Sequence, residues 1–183
     1  MTKEFLLVDG YNIINAWPHL NEAKNISLEI AREKLIEIMA DYAAQAGVAV
    51  IVVFDAHQVE TTRRYNYIKD GVKVVFTKQG ETADHFIEKV ADAMGREEKV
   101  VVATSDWIEQ QIVMGRGATR ISARELLIEV ENMTEKRRVF QKRRKQKRET
   151  LEDIIDPITK EMLRKRIIDD NYDDNYNDKG HKA

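Results

Sequence analysis

Three aspartates in this chain stand where strands of a parallel sheet would end. Asp9, Asp55 and Asp106 each end or follow a run rich in leucine, isoleucine or valine. The carboxyl ends of parallel strands line one crevice of an open α/β sheet, and ligands bind in that crevice. We therefore expect these three carboxylates to meet at one edge of a sheet.

Asp84 adds a fourth carboxylate, inside a helix-like segment that starts near Thr82, and Glu81 precedes that segment. Carboxylates crowded at one edge repel each other unless a cation joins them. Mg²⁺ and Mn²⁺ are hard ions that prefer carboxylate and water oxygens. The pattern therefore predicts a divalent-metal site that serves phosphate chemistry.

Each of these four aspartates also has an ordinary structural explanation. Asp9 and Asp55 are in positions suited to end a strand. Asp84 and Asp106 each suit a first helical turn, where an acid complements the helix dipole. Asn12 suits either a turn or the orientation of a phosphate or a water molecule. Ser105 suits either a helix N-cap or an anion site. The joint pattern favours function, because every main strand end or following turn supplies a carboxylate.

Several other chemistries lack their motifs. The chain has no cysteine, which excludes disulfides, thiolate zinc sites and cysteine nucleophiles. No Gly-x-Gly-x-x-Gly follows the first strand, and no Gly-Lys-Ser/Thr motif is present, so dinucleotide-binding and P-loop sites are not predicted. An aspartyl-phosphate phosphatase would need a second aspartate at position 11, where Tyr11 stands.

Charge is strongly segregated along the chain, although the net charge is only −2. Residues 136–148 hold nine basic residues and no acidic one, whereas residues 169–178 hold five aspartates and no basic residue. Nine cations in thirteen positions favour contact with phosphates over a solvated helix face, which is the alternative. We expect Lys142, Arg143, Arg144 and Lys145, together with Arg63 and Arg64 earlier in the chain, to contact the phosphates of a nucleic acid.

The elements that would position these residues alternate between strands and helices. Strands are predicted at 4–9, 48–54, 72–76, 99–104 and 119–121, and helices at 27–47, 82–95, 106–114, from 122 onward and at 151–168. Residues 10–26 and 56–71 are predicted to be loops. This alternation predicts a mostly parallel sheet in a three-layer α/β fold, and 43% hydrophobic residues suffice for its core.

The same sequence bears on location. No apolar run approaches the ~20 residues that a membrane helix needs, and the first residues lack the pattern of a signal peptide. Together with the lack of cysteine, this predicts a cytoplasmic protein without a membrane partner.

Four motifs resemble those of a known family. LVDGYNII at 7–14, VFDA at 53–56, ETAD at 81–84 and ATSD at 103–106 are similar to the motifs of the YacP-like branch of the NYN domains, within the PIN-like nuclease superfamily. The resemblance covers about residues 4–168. It implies a PIN-like α/β/α fold with a C-terminal basic helix, and a metal-dependent endoribonuclease.

The resemblance assigns roles by position. It implies catalytic roles for Asp9, Asn12, Asp84 and Asp106, and metal binding by Asp9, Asp55, Glu81, Asp84 and Asp106. We expect Mg²⁺ or Mn²⁺ as cofactor and Ser105 as a further RNA contact. The expected domains are a nuclease domain at 1–133, a basic helical extension at 134–168 that packs on or continues it, and a disordered acidic tail at 169–183.

Members of this branch are associated with ribosomes and mRNA cleavage, so the resemblance implies mRNA as substrate and the ribosome as partner. We expect a monomer that does not act on DNA. Two alternatives remain at this point: a non-catalytic RNA- or ribosome-binding module with the same fold, and a toxin-like nuclease of free tRNA.

Overall fold

A computed structural model describes residues 4–55, 65–94, 98–105, 118–154, 159 and 161–162, and it leaves the side chains of 145–154 undescribed. The strands are β1 Glu4–Asp9, β2 Ala49–Phe54, β3 Tyr65–Lys69, β4 Val72–Phe76, β5 Lys99–Ala103 and β6 Thr119–Ile121. The helices are α1 Gly10–Ala16, α2 Pro18–Ile26, α3 Leu28–Ala46, α4 Ala83–Met94 and α5 Ala123–Ile154.

The strands form a six-stranded sheet in the order β3-β4-β2-β1-β5-β6. All neighbours are parallel except β3, which runs antiparallel to β4. The valine-rich runs of β2 and β5 suit strands that are covered on both faces. The predicted mostly parallel sheet is therefore confirmed, and β1, which lies between β2 and β5, is one of its two central strands.

Helices cover both faces of this sheet. Alternate residues of β1 divide between two buried clusters, with Leu6 and Val8 in one and Leu7 in the other. The first cluster joins the sheet to α1, α2, α3 and the start of α5, and the second joins it to α4. The predicted three-layer α/β/α architecture is confirmed.

The chain divides into two compact units, Met1–Thr134 and Glu135–Ala183. The first unit contains the sheet and both clusters of buried residues. Within the part of the chain that is described, no helix is both long enough and apolar enough to cross a membrane.

Local sequence signals set the helix ends as predicted. The Ser27 hydroxyl accepts a hydrogen bond from the Glu29 N–H at 3.2 Å and so caps α3, which ends at Gly47 with a left-handed φ of 70°. Ser122 and Glu125 form the predicted capping box of α5, since each backbone N–H donates to the other's side chain at 2.8 and 3.2 Å.

The prediction of a loop at 10–26 is wrong, because α1 and α2 occupy it. Asp9 caps α1, and Pro18 stands at the start of α2, where its missing N–H costs nothing. Ile13 and Leu20 are fully buried in the first cluster. Burial of these short helices against the sheet stabilises them more than their length alone would.

The prediction of a loop at 56–71 is wrong for its last part, where β3 forms a hairpin with β4. The connecting pair is Asp70-Gly71, and both residues have positive φ, 50° and 83°. Such a two-residue turn matches the twist of paired strands. The helix predicted at 106–114 lies outside the described residues. At the other predicted helix, 151–168, α5 reaches Ile154.

Gly10 is required by a close approach between α1 and β2. A Cβ atom at this position would lie 2.3 Å from Cε1 of Phe54, whose side chain is fully buried and has little room to move. The ring therefore fixes how closely the start of α1 approaches the sheet. Because Asp9 immediately precedes Gly10, this contact also sets the position of the first carboxylate.

We predict that Gly10→Ala lowers the free energy of unfolding by about 1–3 kcal/mol, because the added methyl group overpacks the core. Without that contact, alanine in a helix would be the more stable residue. Urea denaturation of the variant measures the effect. The double variant Gly10→Ala/Phe54→Leu should recover part of the loss, whereas strictly additive effects would contradict this explanation.

Candidate active site at the carboxyl edge of the sheet

Asp9 is the last residue of β1 and lies at the carboxyl edge of the sheet, in register with Val53 of β2. It is 8% exposed. Its Oδ1 accepts a hydrogen bond from the Asn12 N–H at 3.1 Å and thereby caps α1. The sequence suggested only a strand-ending turn for Asp9, whereas in the structure Asp9 also caps a helix. A cap does not require burial of a carboxylate.

Burial raises the pKa of Asp9 from 3.8 to about 6. The Asn12 N–H opposes this by stabilising the charged form, and the carboxylates of Asp84 and then Asp55 raise the pKa further. The described surroundings thus disfavour the ionised form of Asp9. A cation at this edge would reverse that preference.

Asp55 and Asp84 are both half-buried and come from different elements. Asp55 directly follows β2, and Asp84 lies in the first turn of α4. The Thr82 hydroxyl accepts a hydrogen bond from the His85 N–H at 3.2 Å and caps that helix. Since both aspartates act electrostatically on Asp9, the fold brings these three predicted acidic residues to one edge.

Glu81 is buried, with 3% exposure, and its Oε1 lies 3.8 Å from Nζ of Lys89. This ammonium group already offsets part of its charge. Glu81 was predicted as an accessory ligand, and its role remains a prediction.

The acidic side chains at this edge fit a hard divalent cation. Asp9, Asp55 and Asp84 are all carboxylates, and Asp9 is buried next to the two other negative charges. Within the described ranges, no group of three or more His, Asp or Glu side chains is already arranged as a metal site. Asp106, the fourth predicted aspartate, lies outside those ranges.

Asn12 links two strand ends. Its Oδ1 accepts a hydrogen bond from the Ser105 N–H at 2.7 Å, while its own N–H donates to Asp9. Asn12 therefore holds the segment after β5, from which Asp106 follows, against the start of α1. Because the Ser105 N–H is engaged in this way, an RNA contact by Ser105 would use its hydroxyl.

The structure describes only some of the predicted RNA-binding residues. Arg63, Arg64 and the side chain of Lys145 lie outside the described part of the chain. Lys142, Arg143 and Arg144 are exposed on α5, in the second unit.

Two tyrosines near this edge were missed in the sequence. Tyr65 and Tyr67 belong to β3, whose residues were assigned to a loop. Alternate tyrosines followed by Asp70-Gly71 and an apolar run are a hairpin signature, and that signal would have found them.

Comparison with known proteins gives a consistent family. The family model described as YacP-like NYN domain matches residues 6–167. The protein YacP of Bacillus subtilis (strain 168) is 50% identical over 143 residues, which cover 78% of this chain and 82% of that protein.

Two crystal structures of Rae1 (YacP) from Bacillus subtilis have similar folds. One matches with a TM-score of 0.64 and 41% identity, covering 95% of each chain. The other, a tryptophan-to-leucine variant, matches with a TM-score of 0.63 and 48% identity, covering 77% of this chain and 81% of that one.

The pKa of Asp9 predicts a pH dependence of stability. The folded state holds the Asp9 proton up to about pH 6, whereas the unfolded chain loses it near 3.8. Stability contributed by this group is therefore complete below pH 3.8 and is lost as pH rises to about 6. The shift corresponds to about 3 kcal/mol.

Asp9→Asn keeps a capping residue but removes the ionisable group. We therefore expect the variant not to lose stability as the pH rises through this range. In metal-free urea denaturation, its stability relative to wild type should rise by about 2 kcal/mol between pH 4 and pH 7. Glu22→Gln, which removes an exposed carboxylate of α2, is the matched control and should show little change. Parallel pH profiles of Asp9→Asn and wild type would contradict the prediction.

Proposed function

The chain belongs to the YacP-like NYN domain family, and from this premise we propose that it is a divalent-metal-dependent endoribonuclease that cleaves mRNA in association with the ribosome. NYN domains are PIN-like nucleases, and such domains generally use divalent metals. The observation that carries the proposal is Asp9, a buried carboxylate whose pKa is raised to about 6 at the carboxyl edge of the sheet.

A buried carboxylate next to two others works against stability. The fold places Asp9 on a central strand, where it is 8% exposed, and adds the charges of Asp55 and Asp84. Strongly perturbed carboxylates of this kind concentrate at functional sites. Their position at the carboxyl edge is the one where parallel sheets bind ligands.

We assign the metal to Asp9, Asp55 and Asp84, with Asp106 and Glu81 completing the set. A bound Mg²⁺ or Mn²⁺ ion supplies activation of water and stabilisation of the charge that develops on a phosphodiester. The remaining work falls to the protein: β1 fixes Asp9, and Asn12 holds the end of β5 next to it. Asn12 is thus a positioning residue in this proposal.

Basic residues hold the RNA backbone in this proposal. Lys142, Arg143, Arg144 and Lys145 lie within the segment that has nine basic residues in thirteen positions, and Arg63 and Arg64 precede β3. Lysine and arginine bind phosphates largely independently of base sequence, through release of counterions. The cleavage site would then be chosen by how the ribosome presents the mRNA.

The alternative is a non-catalytic RNA- or ribosome-binding module. The basic segment supports binding without cleavage equally well. The acidic edge does not, because three carboxylates repel RNA unless a cation joins them. Incubation of the purified protein with translating and naked mRNA, in Mg²⁺, Mn²⁺ or EDTA, followed by mapping of the RNA ends, separates these functions and tests the need for the ribosome.

We predict that Asp9→Asn and Asp84→Asn each reduce RNA cleavage by about 100-fold or more, because loss of metal-assisted hydrolysis raises the barrier by several kcal/mol. Added Mn²⁺ should raise the melting temperature of wild type, and should do so less in either variant.

Glu22→Gln again serves as the matched loss of one negative charge and should cleave like wild type. A purely structural role of Asp84 in the first turn of α4 predicts the opposite pattern for Asp84→Asn, with lost stability and normal cleavage. If both aspartate variants cleave at the wild-type rate, the nuclease site is not at this edge.

We predict that replacing Lys142, Arg143, Arg144 and Lys145 with glutamine weakens RNA binding and flattens its dependence on salt. Each lost phosphate contact should lower the log–log salt slope by about 0.7–0.9. Filter binding over a range of salt concentrations measures the slope. Lys34→Gln, which removes an exposed cation from α3, should leave it unchanged. An unchanged slope in the fourfold variant would reject this binding role.

A further inference from the structure

A groove of about 520 Å³ lies between α3 and the β3–β4 side of the sheet. Its lining includes Tyr65, Tyr67, Phe76 and Arg32. These residues belong to none of the sites proposed above. An open groove lined by aromatic rings and a guanidinium group suits a flat, aromatic ligand.

The rings form a continuous row. Tyr65 lies 5.6 Å from Tyr67 and 6.4 Å from Phe76, measured between ring centroids. Phe76 is largely buried, whereas Tyr65 is 56% exposed. The buried Phe76 ring packs against Tyr65, and the exposed Tyr65 ring remains available to a ligand.

Arg32 is held in a fixed position within the groove. Its Cζ lies 5.6 Å from the centroid of the Phe76 ring, and its Nη1 donates a hydrogen bond to the Tyr11 hydroxyl at 3.1 Å. A guanidinium plane held in this way loses little freedom when a second flat group stacks next to it.

The charges around the groove balance. Glu29 and Glu33 contribute two negative charges, and Arg32 and Lys69 contribute two positive ones. Lys69 pairs with Glu33 at 3.2 Å. A formally neutral, aromatic groove favours an uncharged base over a phosphate group.

The register places this groove at the same edge as the acidic site. Tyr65 pairs with Phe76, Phe76 pairs with Phe54, and Asp55 directly follows Phe54. From β3 to β1 there are three strand spacings, which amount to about 14 Å. A single strand of RNA with one nucleotide in the groove can therefore reach the acidic edge within a few nucleotides.

We infer that Tyr65 and Tyr67, with Arg32 beside them, stack a base of single-stranded RNA near the cleaved bond. This inference rests on the proposed function. Stacking on aromatic rings accepts every base, because each has a π-face, so the subsite positions the strand without reading its sequence. Together with the neutral charge, this makes an unpaired nucleotide the expected occupant.

The test measures affinity for a single-stranded RNA oligonucleotide in EDTA, where binding is separated from cleavage. Tyr65→Ala should weaken binding by about 5- to 150-fold. The oligonucleotide is first shortened to the minimum length that keeps full affinity, so that it occupies the site in one register. One abasic position scanned along this strand should then weaken binding to wild type most at a single position. That abasic position should cost little in Tyr65→Ala, because the stacking contact is already lost.

Two matched variants sharpen the test. Tyr65→Trp keeps a stacking surface and should bind like wild type. Ile68→Ala removes an exposed apolar side chain from the same strand and should leave affinity unchanged. Additive losses for Tyr65→Ala and the abasic position would overturn the inference.

The abasic scan on wild type needs no variant, so the test also stands if Tyr65→Ala does not fold. Equal losses at every abasic position would then overturn the inference. The experiments distinguish failure of this inference from failure of the proposed function. If the wild-type protein cleaves RNA but Tyr65→Ala binds RNA as tightly as wild type does, only the stacking subsite is refuted. If Tyr65→Ala and the abasic position show non-additive losses of affinity but the wild-type protein does not cleave RNA, the subsite is supported and the nuclease function is refuted.

Discussion

The unfavourable burial of one carboxylate is the constraint on which this site depends. Asp9 ends a strand that has paired neighbours on both sides, so its backbone is fixed by the sheet. The Asn12 N–H offsets part of the cost of desolvation, and the two nearby aspartates add to that cost. In the proposed function, a bound cation would offset this cost. Without one, the rest of the fold must supply the stability that the buried carboxylate removes.

That stability comes from the two clusters of buried residues on either face of the sheet. The Phe54 ring connects the first of these clusters to the site, because it packs against Gly10 on one side and lies 5.1 Å from Tyr11, between ring centroids. The Asn12 side chain then joins the end of β5 to the start of α1. The Phe54–Gly10 packing and the Asn12–Ser105 hydrogen bond thus fix the positions of the strand ends relative to α1. A preorganised site requires such fixed positions.

The sequence predicted most of this fold because its signals were local. Apolar runs, the Ser27 cap and the Ser122–Glu125 capping box were each sufficient for the elements they mark. The helices at 10–26 were missed because they are short and depend on burial against the sheet, which a sequence window does not contain. Asp9 and Asp55 were predicted from strand ends and Asp84 from the start of a helix, but the Asn12–Ser105 hydrogen bond spans 93 residues and has no signal in the spacing. Contacts between distant segments follow from the fold and were out of reach of local patterns.

In the proposed function, the distribution of charge would give different parts of an RNA strand different environments. The acidic edge suits a phosphodiester only through a cation, the aromatic groove has balanced charges and suits a base, and the basic segment of α5 suits the backbone. These contributions respond differently to salt, because counterion release weakens with rising ionic strength, whereas stacking of a base neutralises no phosphate charge. At high salt the groove would therefore carry a growing share of the remaining affinity. The balance between stacking and phosphate contact then sets how firmly a strand is held once screening has weakened the basic segment.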